Sequence, residues 1–355
     1  MASKNKAILA TAGSGKTTKL VDRALFLKDG KVLITTYTLE AVSEIQKKYI
    51  KKNGAVAKNT SIMSWLSFLL QECARPYSLD VFPKKVEGIF FLNGESAQMI
   101  PEANTKAHYF AGGHLYQDKL SKFVLKCNRI NSGRVIKRLE RCFTHILIDE
   151  FQDLAGYDIS LLEVLLRSNI NVIIVGDARQ STYTTNNSRK NKGVTGVNIL
   201  SKIEEWKGLG LIDIELDFNS YRCNQSICDI ADMMFPTENK MVSRNEVVTN
   251  HDGVFYTSPA HLLAYIAKFN PIVLRYDRKT KFEEGKALNF GMVKGKEFPR
   301  VLILSNGPLN DFLKGNPLAS PQKYYVAVTR AIHSVCIVTN IKPQIEGISF
   351  WVSGN

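Results

Sequence analysis

Near the start of the chain, Ala10-Thr11-Ala12-Gly13-Ser14-Gly15-Lys16-Thr17 combines small residues with a lysine and a hydroxyl in an order suited to phosphate. Small side chains let consecutive backbone N–H groups wrap an anion, and a helix N-terminus adds a favourable dipole. Lys16 is expected to reach the β- and γ-phosphates, and Thr17 to offer its hydroxyl to magnesium. Ala12, Gly13, Ser14, Gly15, Lys16, Thr17 and Thr18 form the expected nucleotide-binding set, which departs from GxxxxGK[ST] only at Ala10. Further on, the apolar run His145 to Ile148 ends in the adjacent carboxylates Asp149 and Glu150. At a strand end, two neighbouring acids can face one bound nucleotide in different roles. Asp149 would hold Mg2+ through water, while Glu150 would orient and deprotonate the attacking water. A third block, Val175 to Tyr183, contains Gln180, whose amide can sense a γ-phosphate without changing its own charge.

These groups need strands to carry them. Ala7–Leu9, Val32–Thr35, Ile146–Ile148, Val172–Val175, Ile272–Leu274, Val301–Leu304 and Val335–Val338 are short, apolar and β-branched, and helix-length amphipathic segments separate them. Such runs read as buried strands of parallel sheets covered by helices, an α/β architecture. Residues 1–212 and 213–355 are expected to form two domains, the first interrupted at about 71–141, where Pro76, Pro83, Pro101 and Gly112-Gly113 break the pattern. The stretch Lys119 to Arg141 carries Lys119, Lys122, Lys126, Arg129, Arg134, Lys137, Arg138 and Arg141. It reads equally as a phosphate-tracking surface and as a solvated helix face.

Taken together, the phosphate loop, DEFQD at 149–153 and GDARQS at 176–181 resemble motifs I, II and III of the UvrD, Rep and PcrA helicases of superfamily 1. The resemblance continues along the chain. Thr36-Tyr37-Thr38 looks like motif Ia, Ser61-Ile62-Met63-Ser64 like motif Ib, and Asn219-Ser220-Tyr221-Arg222 like motif IV. Lys294-Gly295-Lys296-Glu297 resembles motif V, and Tyr325 to Ala331 resembles motif VI. The family implies two RecA-like P-loop NTPase domains with the ATP site in the interdomain cleft. It further implies that Tyr221 stacks on adenine, that Arg222 and Arg330 reach the γ-phosphate, and that Glu297 contacts nucleotide. Thr36, Tyr37, Ser64 and Tyr183 would meet the nucleic acid. The direction it implies is 3′ to 5′ along single-stranded DNA, or into single-strand/duplex junctions.

Several positions depart from the family pattern. Met63, Thr185 and Gly291 stand where nucleic-acid-contacting residues are usual, and residues 1–9 leave no room for the family's glutamine motif upstream of the loop. The stretch from Arg222 to Asn289 is too short for the large accessory domain of the long members. These departures keep a second reading open: an ATP-switched DNA-binding sensor subunit beside a nuclease, by analogy in phage defence or repair. A small-molecule kinase would give no role to Gln180, Arg222 and Arg330 together.

Composition is compatible with either helicase-like reading. The net charge of +14 over 355 residues attracts polyanions, among which charge alone does not choose. Six cysteines without a CxxC pair read as reduced thiols rather than zinc ligands. With neither a signal-peptide core nor an apolar stretch of membrane-spanning length, the chain is expected in the cytoplasm, away from membranes.

Overall fold

The computed structural model describes residues 3–92, 94–182, 190–191, 193–194 and 196–354. By its internal contacts the chain divides into two compact units, residues 1–9 with 16–216 and residues 10–15 with 217–355. The first unit is built on a six-stranded sheet. Its order is Thr60–Ser64, Val32–Thr36, His145–Asp149, Asn171–Gly176, Lys6–Ala10 and Asp213–Asp217. The pairings from Thr60–Ser64 through to Lys6–Ala10 are parallel. The second unit carries another six-stranded sheet, ordered Leu288–Asn289, Ile272–Arg275, Phe298–Leu304, Ala331–Val338, Gly253–Thr257 and Ile348–Phe350. Its ladder is parallel throughout. The chain is thus an α/β protein with two RecA-like parallel sheets.

Every apolar run expected to be a strand is one, for a common reason. A parallel strand covered on both faces has no solvent side, so Val32 to Thr36 is buried at every position. Helices supply the cover. Helix Lys16–Phe26 turns Leu20, Val21 and Ala24 inward, and helix Leu39–Asn53 buries Ile45 and Tyr49. The latter starts where the Thr38 hydroxyl accepts the Ala41 N–H at 3.1 Å and stops at Gly54, whose φ of 80° suits glycine. The strand Asp213–Asp217 stays with the first sheet, and the division between units follows Leu216.

Residues 71–141 do not hang outside the first core. Phe82, Tyr109, Phe110, Leu115 and Phe123 belong to the same buried cluster as Trp65, Phe68, Ile146 and Leu165. This segment has a small sheet, Gly88–Phe90, His114–Tyr116 and Phe110–Ala111. Two helices follow, Leu120–Ile130 and Arg134–Cys142, separated at Gly133 with φ 81°. Many of its basic side chains are engaged by local acids. Lys122 lies 3.1 Å from Glu102, Lys126 and Arg129 lie 3.9 Å from the same carboxylate, and Arg138 lies 2.9 Å from Glu72. Lys119 is buried between Glu95 and Asp118. Arg129, Arg134, Lys137 and Arg141 are left exposed at the surface.

The free cysteines are buried except Cys142, which is half-buried. Burial pushes the Cys127 thiol up to about 12, so it stays protonated at neutral pH. Among the described residues no helix is long and apolar enough to cross a membrane.

Partial burial pushes the Glu102 carboxyl up, but hydrogen bonds from Tyr109 and Lys122 and the charges of Lys122 and Lys126 outweigh it, leaving the group below its usual value. A depressed carboxylate stabilises the fold above its unfolded-state value, and that contribution disappears as pH falls through the folded value. Glu102→Gln should therefore destabilise the chain by up to about 1 kcal/mol at pH 7. In thermal melts the gap from the unaltered chain should close as pH falls through the lowered Glu102 value, on the acid side of the usual glutamate range.

Candidate nucleotide site and strand-binding face

Strand register in the first sheet brings the chemistry to one edge. Thr35 pairs with Ile148, Asp149 with Val175, and Leu9 with Gly176, so four strands release their C-terminal loops at the same level. Parallel α/β sheets place ligands outside this edge.

Within the first unit, Asp149 is buried at its strand end. The Thr17 hydroxyl donates to Asp149 Oδ2 at 2.9 Å, and the Glu150 N–H donates to Oδ1 at 3.0 Å. Burial and the Glu150 charge push the Asp149 carboxyl up, while the Thr17 hydrogen bond and the Lys16 charge pull the other way. Lys16 is itself buried at the start of its helix. Glu150 has a left-handed backbone, φ 57° and ψ 41°, a conformation that costs a non-glycine residue of order 1 kcal/mol. That turn directs the chain from strand to 3-10 helix immediately after the two acids.

The Glu150 carboxylate also accepts the amide of Gln152. Gln152 is buried, and its Oε1 accepts the Asp177 N–H at 3.2 Å. Asp177 in turn accepts the Gln180 amide at 2.9 Å and the Arg179 N–H at 3.1 Å. Half-buried Glu150 and buried Gln152, Asp177 and Gln180 are therefore one hydrogen-bonded network joining the loops of two neighbouring strands. Sequence reasoning selects Glu150 and Gln180 but passes over Gln152 and Asp177, although both lie inside the blocks that carry the resemblance. The signal that could have found them is their position two or three residues from a selected acid or amide at the end of adjacent strands.

The second unit includes residues 10–15. Gly13 and Gly15 both have φ 76°, where a Cβ is strained. At Gly13 there is also no room: a Cβ would lie 2.6 Å from Ser220 Oγ and 2.7 Å from Arg222 Cβ. At Gly15 nothing lies within 4 Å. The Tyr221 N–H donates to the Gly13 carbonyl at 2.9 Å, and the Ala12 N–H donates to the Tyr325 hydroxyl at 3.2 Å. Ser14 is buried and its Oγ has no hydrogen-bond partner.

Tyr221 is 58% exposed. Arg222 donates to Glu297 at 3.1 Å and to the Thr329 carbonyl at 3.2 Å. Arg330 is 2% exposed, and donates to the carbonyls of Val326 at 3.0 Å and Lys296 at 3.2 Å. Motifs IV, V and VI are thereby joined through Arg222, Glu297 and Arg330.

Thr36 and Ser64 end neighbouring strands and are paired in register. Ser64 caps the helix Trp65–Phe68, accepting the Ser67 N–H at 3.2 Å. Tyr37 is half-buried, with the Gln117 amide donating to its hydroxyl; burial, with Asp158 and Asp153 nearby, pushes the phenol up to about 12. Met63 packs against the core. Tyr183 and Thr185 lie outside the described residues.

The chain is similar to several known proteins. The "Probable DNA helicase II homolog" of Mycoplasma genitalium is 22% identical over 97% of this chain and 58% of its own length. The "ATP-dependent DNA helicase Rep" of Buchnera aphidicola is 24% identical over 60% of this chain and 40% of its own length. A family model described as an AAA domain matches residues 1–186, more than half of the chain. This chain belongs to that family, as a UvrD-like member. Among solved structures, a complex of arterivirus nonstructural protein 10 (helicase) with DNA has a TM-score of 0.49 and 13% identity, covering 95% of this chain and 61% of that one. The UvrD-like chain thus spans little more than half the length of the first curated relative and less than half of the second.

The network makes a demand on Gly176. A Cβ there would come 2.1 Å from Gln152 Oε1 and 2.8 Å from the Phe151 ring. Gly176→Ala should displace Gln152 and destabilise the chain by about 1–3 kcal/mol, seen as a lowered urea midpoint at unchanged slope. An unchanged midpoint would mean that the loop accommodates the methyl group and that Gln152 is not held as described.

Proposed function

We propose that this chain hydrolyses Mg-ATP to move along single-stranded DNA in the cytoplasm, 3′ to 5′, as a UvrD-like translocase that opens single-strand/duplex junctions. The observation that carries the reading is the Thr17–Asp149 hydrogen bond at 2.9 Å with Glu150 wired to Gln180 beside it. Those groups are the parts that phosphoryl transfer to water requires: a metal-ligand pair, a base and a γ-phosphate sensor.

The residues fit both nucleotide and metal. The buried, unpartnered Ser14 hydroxyl and the open space at Gly15 suit a phosphate. Thr17 and Asp149 supply hard oxygen donors, and magnesium commonly takes only one or two protein ligands beside phosphate and water. Magnesium, when bound, neutralises charge on the phosphate oxygens. Lys16 would steady the β- and γ-phosphates, and Glu150, oriented by Gln152, would accept the proton of the attacking water. Arg222 and Arg330 would balance charge that develops at the γ-phosphate, and Tyr221 would stack on adenine. Ala12, Gly13, Ser14, Thr18 and Glu297 complete the nucleotide contacts. Thr36, Tyr37, Ser64 and Tyr183 are proposed to meet the strand. The named helicase relatives favour this reading over a nucleotide-switched sensor subunit beside a nuclease.

Glu150→Gln should lower ATP turnover about 10²- to 10⁴-fold while leaving nucleotide binding nearly intact, and Lys16→Ala should remove both. Steady-state turnover paired with fluorescent-nucleotide binding separates these effects. Full turnover by purified Glu150→Gln would contradict the assignment of the base.

A further inference from the structure

The inserted segment has a feature that neither the nucleotide site nor the core requires. In its small sheet Gly88 pairs with His114, Ile89 with Leu115, and Phe90 with Tyr116. Side chains alternate across a strand, so Ile89 and Leu115 share the face that packs on the core, while Phe90, Tyr116 and His114 share the other. Gly88 leaves that outer face flat, since a Cβ there would sit 3.0 Å from the His114 ring. Phe90 and Tyr116 meet edge to face at 5.9 Å. Phe90 is 42% exposed and the next residue, Phe91, 66% exposed. Burying such rings within the fold would be the ordinary outcome; exposing them on a sheet face leaves them free to stack.

Two observations indicate what they stack with. The end of the strand that carries Tyr116 is joined to motif Ia, because Gln117, the next residue, donates to the Tyr37 hydroxyl. Two cations beside the sheet are unengaged by those local acids among the described residues: Lys84 and Lys85 lie exposed just before the strand that carries Phe90, while Glu87 lies 3.8 Å from His114 on this face, and residues 71–141 as a whole hold twelve Lys and Arg against seven Asp and Glu. Aromatic rings on an exposed sheet face beside exposed lysines are the usual equipment for unpaired bases.

We infer that the outer face of this small sheet, Phe90 with Tyr116, flanked by the exposed Phe91 beyond the strand end, is a base-stacking platform that extends the single-strand path beyond Tyr37 onto the inserted segment. The inference rests on the single-strand reading proposed above and names the surface that adds affinity to it. Each base stacked on a ring typically changes binding by about fivefold to a hundredfold, without sequence preference because every base offers a π face.

The native tryptophans, Trp65, Trp206 and Trp351, are all buried, so an indole introduced at position 90 reports on this surface alone. Phe90→Trp in the full chain should bind oligo-dT with near-native affinity and lose fluorescence as the strand is added. The double change Phe90→Ala with Phe91→Ala should melt like the unaltered chain yet bind oligo-dT at least about tenfold more weakly by anisotropy. An unquenched indole together with undiminished binding by the double variant overturns the platform and points to a protein ligand for these rings. If the unaltered chain binds no oligo-dT at any salt, the single-strand reading itself fails, and the platform with it.

Discussion

A carboxylate buried at the end of a strand is expensive unless something repays its lost hydration. Asp149 is in that position, held by the Thr17 hydroxyl and the Glu150 N–H with the Lys16 charge acting in the same direction. Much of the first unit's geometry follows from keeping this group where it is. The strand that ends in Asp149 lies between Val32–Thr36 and Asn171–Gly176, so its register fixes the level of two neighbouring loops. The helix that brings Thr17 is anchored by Leu20, Val21 and Ala24. The left-handed turn at Glu150 then sends the second acid into a different environment from the first.

That difference in environment separates two otherwise identical functional groups. Asp149 has a hydroxyl and an amide proton as partners; Glu150 has the amide of Gln152, which reaches Asp177 and through it Gln180. A largely buried hydrogen-bonded network of this kind couples its members, because moving one leaves another unsatisfied in a low-dielectric setting. A change sensed at Gln180 can therefore alter the position of Glu150 without any large motion of the sheet. In the second unit the same logic operates with cations. Arg222 and Arg330 are held by Glu297 and by backbone carbonyls, so their guanidinium groups are preorganised rather than free in solvent.

Much of this was legible in the sequence where a single physical demand acts on consecutive residues. Central parallel strands are apolar throughout, and the phosphate loop, Asp149-Glu150 and the Gln180 block are each contiguous. Edge strands escape that pattern, since one side faces solvent and accepts polar residues. Asp213–Asp217, with sequence DIELD, and Thr60–Ser64, with sequence TSIMS, are edge strands of the first sheet. The inserted segment reads as interrupted because Phe82, Tyr109, Leu115 and Phe123 reach the core from short elements with no common period. The Gln152–Asp177 link was illegible for another reason: spacing from Glu150 and Gln180 can mark the two residues, but their pairing depends on the register of two strands distant in sequence. The charges of Lys119 to Arg141 left two readings open because ion pairs to Glu102, Glu72 and Glu95 are tertiary.

The central claim is that nucleotide chemistry in this UvrD-like chain serves movement along a strand. Its most direct test is steady-state ATP turnover by the purified chain without nucleic acid, with single-stranded DNA and with duplex DNA, each at low and high salt. The account predicts turnover raised by single strands more than by duplex, with the stimulation weakening as salt competes for the phosphates. Turnover that is substantial but indifferent to DNA at every salt concentration would contradict it.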